Sequence, residues 1–272
     1  AVLHFALLAR SFASRVGYPL DIEWNEGGYL YQAYRVLHGL ALYPPPADGF
    51  VPYPYPPGHT VMLALAGRVF GLDYWTGRMI SLVFFVAGSV LLAREVWFRF
   101  SPRHNAALWA LLALGTIAAS YPVTGGWYDL VRNDSMTMGL LVFATVMVGA
   151  DRLTGVRMGL AAAALVLAVF TRQPAAFFAV WLCAFTLWRS RRFGLMLTLA
   201  TGLGCVIWLA ALVLTTHGWA YTYILGVYAR HKIEPRRWWD AIAAIVRFRP
   251  YLPLMAIIEL LRACFGVEVG ET

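Results

Sequence analysis

The stretch "FGLMLTLATGLGCVIWLAALVLTT" at residues 193–216 contains no charged residue. A helix of about 20 apolar residues is long enough to cross the hydrocarbon core of a bilayer. This stretch therefore predicts a membrane-spanning helix.

The composition of the whole chain agrees with this stretch. The chain has 272 residues, of which 60% are hydrophobic and only 13% are charged, whereas a soluble domain has about 25% charged residues. We therefore predict an all-α fold, a polytopic transmembrane helical bundle. The net charge of +8 is not gathered on a basic face of a soluble fold, so we expect no nucleic-acid partner. The three cysteines lack a CxxC spacing, which argues against a disulfide framework or a zinc site.

Apolar runs elsewhere predict further crossings, for about eight spanning helices in total. The predicted spans are 1–16, 75–97, 105–121, 135–150, 156–170, 175–188, 193–216 and 250–266. Basic turns at 94–104, 151–157 and 189–192 are every second connection between these spans, so all three lie on the same side. Because positive residues collect in cytoplasmic loops, the opposite side is extracytoplasmic. That side holds a first outer loop at 17–74, a second at 121–134 and a third at 217–249.

Three segments of the outer loops have distinctive patterns. The apolar segment 60–71 is about half the length of a crossing, so we predict a helix lying at the membrane surface. Segment 236–249 has apolar residues at helical spacing between arginines and predicts an amphipathic interfacial helix. The proline-rich segment 43–57 predicts a stiff extended connector, since proline fixes φ and removes a backbone donor. We treat 1–272 as one module, and we expect it to be cut from a longer protein at both ends.

The acidic residues are concentrated in the first two outer loops. Asp21, Glu23 and Glu26 lie in the first loop, while Asp129 and Asp134 lie in the second. Aromatic residues flank both groups, as in "DIEWNEGGYLY" (21–31) and "GWYDLVRND" (126–134). Such acids are either ordinary solvated loop residues beside an aromatic membrane belt or the carboxylates of a site that both loops form.

Several stretches together resemble the GT-C-fold glycosyltransferases. They are "YPLDIEWNEGGYLYQAYRVLHGLALYPPP" (18–46), "YPYPPGHTVMLALAGRVFGLDYWTGRMISL" (53–82), "WYDLVRNDSM" (127–136) and "FTRQPA" (170–175). That family, which includes protein O-mannosyltransferases and lipid A aminoarabinose transferases, takes a sugar from a polyprenyl-phosphate carrier. One departure is that many relatives have adjacent Asp-Glu, where this chain has Asn25-Glu26.

The resemblance implies a fold of GT-C type and a set of catalytic residues. Sugar transfer from a lipid phosphate needs a base for the acceptor hydroxyl and cations or a metal for the leaving phosphate. The base would be Glu26 or Asp21. Asp134 would orient the acceptor or bind a divalent metal ion, although no cofactor is certain. Arg132 would be bonded to one of these acids, and Asp129 would belong to the substrate site.

Other residues of the resembling stretches are candidates for substrate binding. His59 is either a metal ligand or a hydrogen-bonded loop residue, and Tyr55 either packs or stacks on sugar. Arg172 is either an interface anchor or a phosphate ligand, with Gln173 beside it in the same turn.

A basic segment of the third outer loop, "YARHKIEPRRWW" (228–239), offers a further candidate site. It either rests on anionic lipid headgroups or binds the carrier phosphate. The residues concerned are Arg230, Lys232, Arg236 and Arg237.

The sequence therefore predicts a membrane glycosyltransferase that uses a polyprenyl-phosphate-sugar donor. Its acceptor would be a hydroxyl of a polysaccharide, a lipid or a protein. We expect it in the bacterial inner membrane, with its site on the extracytoplasmic face. The alternatives are a transporter or flippase for a lipid-linked glycan, which would place ionisable residues within the spans, and a non-catalytic scaffold, which would leave the acidic clusters unexplained.

Overall fold

The computed structural model describes residues 2–100, 105–122, 124–230 and 234–248, and within these ranges the secondary structure is entirely helical. The prediction of an all-α fold is confirmed. The first three helices are α1 (Val2–Arg15), α2 (Glu26–Leu37) and α3 (Gly58–Phe70). The apolar helices follow as α4 (Tyr74–Phe100), α5 (Ala106–Ser120), α6 (Asn133–Gly149), α7 (Gly155–Thr171), α8 (Ala175–Arg189) and α9 (Arg191–Thr215). Beyond them lie the short α10 (Trp219–Tyr221), a π-helical turn (Thr222–Gly226), α11 (Val227–Ala229) and α12 (Pro235–Phe248).

Among the residues that the structure describes, two helices are long and apolar enough to cross a membrane, where the sequence predicted about eight. They are Tyr74–Arg99 and Arg191–Thr215, with mean hydropathies of 1.9 and 2.2. Only 6% and 11% of their apolar windows are buried inside the protein, whereas the central helix of a soluble protein is mostly buried. The apolar helices α5 to α8 have 15–17 residues, which is fewer than the ~20 of a full crossing. The predicted span 250–266 lies outside the described residues.

The helices α4 to α9 pack in a bundle in which small residues allow close approach. Helix α6 packs against α4 and α7, and α7 in turn packs against α8 and α9. Alanines of α7, among them Ala161 and Ala168, are buried in this bundle. A Cβ atom at Gly139 of α6 would lie 2.8 Å from the carbonyl oxygen of Phe84 in α4. Such small-residue contacts are typical of helix packing in membranes.

The segment predicted as the first outer loop folds onto one end of this bundle. Helix α3 packs against α2, α4 and α7, and its buried face includes His59, Leu63 and Ala64 while Leu65 and Val69 are exposed. The predicted helix at 60–71 is thus present. The proline-rich connector is largely non-helical, as predicted, except for a single 3-10 turn at Pro46–Asp48.

One buried ion pair joins the outer loops to the bundle. Arg78 lies in the first turn of α4, and both it and Glu26 are fully buried. Its Nε donates to Glu26 Oε1 at 2.9 Å and its Nη2 donates to Oε2 at 2.8 Å. The same guanidinium group donates to backbone carbonyls of Arg15, Tyr18 and Leu20. Arg78 therefore connects the end of α1, the start of α2 and the start of α4.

The second outer loop is held by the same carboxylate. The backbone N–H of Val131 donates to Glu26 Oε1 at 2.9 Å, and the N–H of Ile22 donates to Oε2 at 2.7 Å. Burial raises the pKa of Glu26, but the hydrogen bonds from Arg78, Val131 and Ile22 outweigh it, so its pKa lies below the ordinary value.

The chain divides by its contacts into two units, Ala1–Ala229 and Arg230–Thr272. In the second unit the predicted helix at 236–249 is present as α12, Pro235–Phe248. Its exposed apolar residues Trp239, Ile242 and Val246 are spaced so that they share one face of the helix.

Glu26→Gln should destabilise the protein by about 3–5 kcal/mol, because it leaves the buried charge of Arg78 without its partner. The control is Glu95→Gln, which breaks a partly exposed pair with Arg99 and should cost less than about 1 kcal/mol. Chemical unfolding in detergent, followed by far-UV circular dichroism, measures both. Equal stability of the two variants would contradict the structural role of Glu26.

The stability difference between wild type and Glu26→Gln should depend on pH. Because the pKa of Glu26 is lowered in the folded protein, its contribution is fully present above the ordinary value of 4.5 and is lost as the pH falls through the folded pKa. Unfolding experiments at several pH values should show a constant difference near neutrality that shrinks below 4.5. A stability difference that grows as the pH falls would contradict the lowered pKa of Glu26.

Candidate functional site

The two outer loops meet in a cluster of carboxylates and guanidinium groups. Arg132 Nη1 lies 2.9 Å from Glu23 Oε2, and its Nε lies 2.9 Å from Asp134 Oδ2. Arg172 Nη1 pairs with the other oxygen of Asp134. The bond expected between Arg132 and one of the acids is therefore present. We call Glu23, Arg132, Asp134 and Arg172 the ionic cluster.

The local backbone around α6 positions the centre of this cluster. Arg132 is the extended residue before α6, with φ −143° and ψ 155°, and Asp134 lies in the first turn of that helix. A carboxylate in the first turn is stabilised by the helix dipole. The guanidinium carbon of Arg132 lies 4.0 Å from the centre of the Trp127 ring, and only 6% of Arg132 is exposed. These contacts hold Arg132 in one orientation.

Asp21 is the exposed carboxylate beside the cluster. One of its oxygens accepts the backbone N–H of Gly27 at 2.7 Å, and it also bonds to the hydroxyl of Tyr74. A carboxylate has about four lone-pair sites, so Asp21 keeps acceptor capacity on a solvent-exposed side chain.

The phenol of Tyr53 lies between Asp21 and the cluster. Burial raises its pKa first, and the charges of Glu23 and Asp21 raise it further, while Arg132 opposes them. A Cβ atom at Gly28 would lie 2.0 Å from the Tyr53 hydroxyl, so the absence of a side chain there makes room for the ring. The exposed ring of Trp24 stands edge-on to Tyr53 at 6.1 Å.

Glu26 was one of two alternatives for the base, and the structure places it elsewhere. The carboxylate is fully buried and accepts hydrogen bonds from Arg78, Val131 and Ile22. An acceptor hydroxyl cannot reach it without displacing these partners. Of the two alternatives, the geometry favours Asp21.

Asp129 also differs from its expected place in the substrate site. It is fully buried, accepts a hydrogen bond from the Tyr121 hydroxyl at 2.9 Å and lies 3.4 Å from Arg15 Nε. Burial raises its pKa, although Arg15 opposes the effect. These partners tie the second outer loop to the end of α1, which is a structural task.

His59 and Tyr55 lie beneath the cluster rather than within it. His59 is 1% exposed, its ring nitrogens have no hydrogen-bond partner in the described part of the chain, and burial lowers its pKa to about 4. It packs edge-on against Tyr29 at 5.0 Å. Tyr29 in turn stacks with Tyr55 at 6.2 Å. His59 is therefore a packed residue of α3, which fits neither of the two roles foreseen for it.

For Asp134 the sequence left two alternatives, orienting the acceptor or binding a divalent metal ion. Across the described residues, no group of three or more His, Cys, Asp or Glu side chains is placed to hold a metal ion. Both oxygens of Asp134 already bind guanidinium groups. The donor set of the cluster therefore does not fit a resident metal.

Gln173 holds two segments of backbone instead of facing the cluster. Its Nε2 donates to the carbonyl oxygen of Pro54 at 2.6 Å and to that of Ile224 at 3.0 Å. It thus joins the proline-rich connector to the π-helical turn after α10, and its contact with substrate stays a prediction.

The basic segment belongs to the second unit of the chain. Arg230, Arg236 and Arg237 are exposed, and Arg237 pairs with Glu234 at 2.6 Å. Lys232 lies outside the described residues. The binding of a carrier phosphate by this segment stays a prediction.

Two apolar cavities open beside the ionic cluster. The first, of about 680 Å³, lies among α4, α5 and α6, with Phe84, Leu92 and Val142 in its wall and Asp134 at its polar end. We call it the α4–α6 cavity. The second, of about 550 Å³, lies among α7, α8, α9 and the π-helical turn, with Trp208 in its wall and Arg172 at its polar end. We call it the α7–α9 cavity. Both volumes are within the range of small-molecule sites.

Several residues that shape this site were not predicted from the sequence. Arg78 stands in the motif "TGRMIS" (76–81), where a single charge in an apolar run was the available signal. Glu23 lies in the sequence between Asp21 and Glu26, the two alternatives for the base. Trp127 and Tyr74 resemble ordinary aromatic residues of a membrane interface, and only the fold shows their contacts.

Comparison with known proteins gave no further identification. No protein-family model matches the chain, and neither a curated protein nor a solved structure matches it.

Gln173→Glu should destabilise the junction between the connector and the π-helical turn by about 1–3 kcal/mol, because it replaces a buried donor by an acceptor facing two carbonyls. The backbone amides of residues 222–226 should exchange faster with solvent, while exchange at the C-terminal end of α8 should stay unchanged. Gln173→Met, which has no donor but no opposing charge, is the matched control and should have a smaller effect. Unchanged exchange in Gln173→Glu would contradict the assigned role.

Proposed function

We propose that this protein is a membrane glycosyltransferase of GT-C type that moves a sugar from a polyprenyl-phosphate-linked donor to an acceptor hydroxyl. The observation that carries the proposal is the meeting of the two outer loops in one ionic cluster between two apolar cavities. A donor of this kind has an apolar chain, an anionic phosphate and a polar sugar. Such a molecule needs an apolar cavity, a cation and a polar region next to each other.

The proposal includes a membrane topology. Helices α4 and α9 have the length and hydropathy of spans, and tilted or shorter helices of the same bundle would complete a total of about eight. The basic turns then face the cytoplasm, and the ionic cluster lies at the extracytoplasmic face of a bacterial inner membrane.

Arg172 is the cation best placed for the carrier phosphate. Its side chain is 28% exposed against 7% for Arg132, and it stands at the polar end of the α7–α9 cavity. A guanidinium group has five N–H donors, so Arg172 can bind a phosphate while it keeps Asp134. As the bond from the sugar to the phosphate breaks, negative charge grows on the phosphate, and a fixed cation stabilises the transition state more than the ground state.

Asp21 is the base of the proposed reaction. It accepts the proton of the acceptor hydroxyl while the hydroxyl oxygen bonds to the anomeric carbon and the phosphate leaves with the electrons of the broken bond. The positive charge that develops at the anomeric carbon is stabilised by nearby carboxylates, of which Glu23 is held by Arg132. The hydrogen bond from Gly27 fixes the orientation of Asp21.

The transporter alternative has less support in the described helices. Transporters place ionisable residues near the middle of spans or use paired broken helices. In α4 to α9 the charged residues lie within the first or last seven residues of each helix. Arg78, the most deeply buried of them, is engaged by Glu26 and by backbone carbonyls.

Asp21→Asn should lower the rate of sugar transfer by about 10²–10⁴, because the amide keeps the shape but cannot accept the proton. Transfer of label from a radiolabelled polyprenyl-phosphate sugar, in membranes that contain the protein, measures the rate. Asp48→Asn is the control, since Asp48 is an exposed acid of the same outer loop and should leave the rate unchanged. Turnover of Asp21→Asn near that of wild type would remove the proposed base.

A further inference from the structure

One face of α2 carries exposed rings in a line that leads to Asp21. Gly27, Tyr31, Tyr34 and His38 follow one another at intervals of three or four residues, so they share one stripe of the helix surface. Tyr31 and Tyr34 are 49% and 44% exposed, and His38 is exposed as well. A Cβ atom on Gly27 would lie 3.2 Å from both carboxylate oxygens of Asp21, so Asp21 occupies the Gly27 end of this stripe. We call Tyr31, Tyr34 and His38 the aromatic row.

The rings of the aromatic row are held in place by their neighbours. The planes of Tyr31 and Tyr34 differ by only 10°, and their centres are 6.1 Å apart. Phe50 stands edge-on to Tyr31 at 5.5 Å, and the guanidinium carbon of Arg35 lies 4.1 Å from the centre of Phe50. The ring of His38 lies 3.9 Å from that of Tyr34. Because these contacts orient the rings before a ligand arrives, little entropy is lost when one binds.

We propose that the aromatic row binds the acceptor as a chain of uncharged sugar units, whose end presents its hydroxyl to Asp21. This inference rests on the proposed function, in which Asp21 accepts the proton of that hydroxyl. It selects a polysaccharide from the three classes of acceptor that the sequence left open. It also assigns Tyr31 and Tyr34 to acceptor binding.

The chemistry of the aromatic row matches that of a sugar chain. A sugar ring has an apolar face of C–H groups and an edge of hydroxyls. The C–H face packs on the negative π-face of a tyrosine ring, while the phenol hydroxyl can bond to the sugar hydroxyls. Two near-parallel rings in one line suit consecutive units of a chain. A lipid tail gains nothing from phenol hydroxyls, and a peptide lacks a C–H face that repeats from unit to unit.

The carboxylate at the end of the aromatic row favours uncharged sugars. Asp21 accepts the N–H of Gly27 at 2.7 Å and bonds to the hydroxyl of Tyr74, and both partners are neutral. Unlike Glu23 and Asp134, Asp21 forms no ion pair within the part of the chain that the structure describes. An anionic sugar would be repelled by this charge, whereas a neutral hydroxyl can donate to it.

The affinity for free oligosaccharides tests the aromatic row directly. The probes are neutral hexasaccharides of glucose, of mannose and of galactose, added to the full chain in a detergent that has no sugar headgroup. We expect at least one of them to bind. Tyr31→Ala and Tyr34→Ala should each raise its Kd about tenfold, a change of about 1.4 kcal/mol. Tyr34→Phe keeps the ring and should retain most of the affinity.

The matched control for these variants is Tyr18→Ala. Tyr18 is a 46% exposed tyrosine of the same predicted loop but lies before α2 and outside the aromatic row, so its replacement should leave the Kd unchanged. If no hexasaccharide binds, or if the alanine variants of the row bind as Tyr18→Ala does, the sugar site is wrong. Tyr31 and Tyr34 would then be aromatic residues of a membrane interface.

Transfer from a radiolabelled polyprenyl-phosphate sugar separates this inference from the proposed function. With the hexasaccharide as acceptor, Tyr34→Ala should raise KM about tenfold and leave kcat unchanged. With the methyl glycoside of a single sugar, which is too short to reach from Asp21 to Tyr34, the same variant should have the KM of wild type. Label found in lipid or protein, and unaffected by Tyr34→Ala, would overturn the polysaccharide acceptor but keep the proposed function. Binding of the hexasaccharide without transfer to any acceptor would contradict the proposed function and keep the sugar-binding row.

Discussion

The buried pair of Arg78 and Glu26 is the interaction on which the outer half of this protein depends. Two fully buried charges are costly to remove from water, and they are tolerated when hydrogen bonds satisfy the groups on both sides. Here the guanidinium group binds the carboxylate and the carbonyls that follow α1, while the carboxylate also accepts backbone N–H groups from both outer loops. These bonds hold the two loops in one arrangement, and the ionic cluster forms where the loops meet.

The five acidic residues of the two loops divide into structural and solvent-accessible groups. Glu26 and Asp129 are fully buried and occupied by internal partners. Asp21, Glu23 and Asp134 retain access to solvent to different degrees. Glu23 and Asp134 bind the two guanidinium groups of the cluster, while the exposed Asp21 accepts the backbone N–H of Gly27. This distribution is what makes a proton-accepting role for Asp21 physically reasonable.

The sequence predicted the apolar helices well because their signal is local, but it did not predict α2. Runs of apolar residues ended by charge or proline gave α4 to α9 to within a few residues, and the charge pattern of 236–249 gave α12. It did not separate Asp21 from Glu26, because the difference lies in Arg78, which is 52 residues from Glu26 along the chain. The role of Gln173 likewise depends on carbonyls at distant positions. The number of spans stays a proposal, because only two of the described helices have the length of a crossing and hydropathy alone does not show where a helix ends.

The proline-rich connector has a consequence for the thermodynamics of ligand binding. Its backbone carbonyls at Pro54 and Tyr55 accept hydrogen bonds from the Gln173 amide and from the Tyr43 hydroxyl at 2.6 Å, and its prolines fix φ even in the unfolded chain. The conformational entropy of this connector is therefore lost during folding and not when a ligand binds. A ligand that binds against this connector should show a small entropic penalty, in contrast to ligands of sites that are covered by a flexible lid.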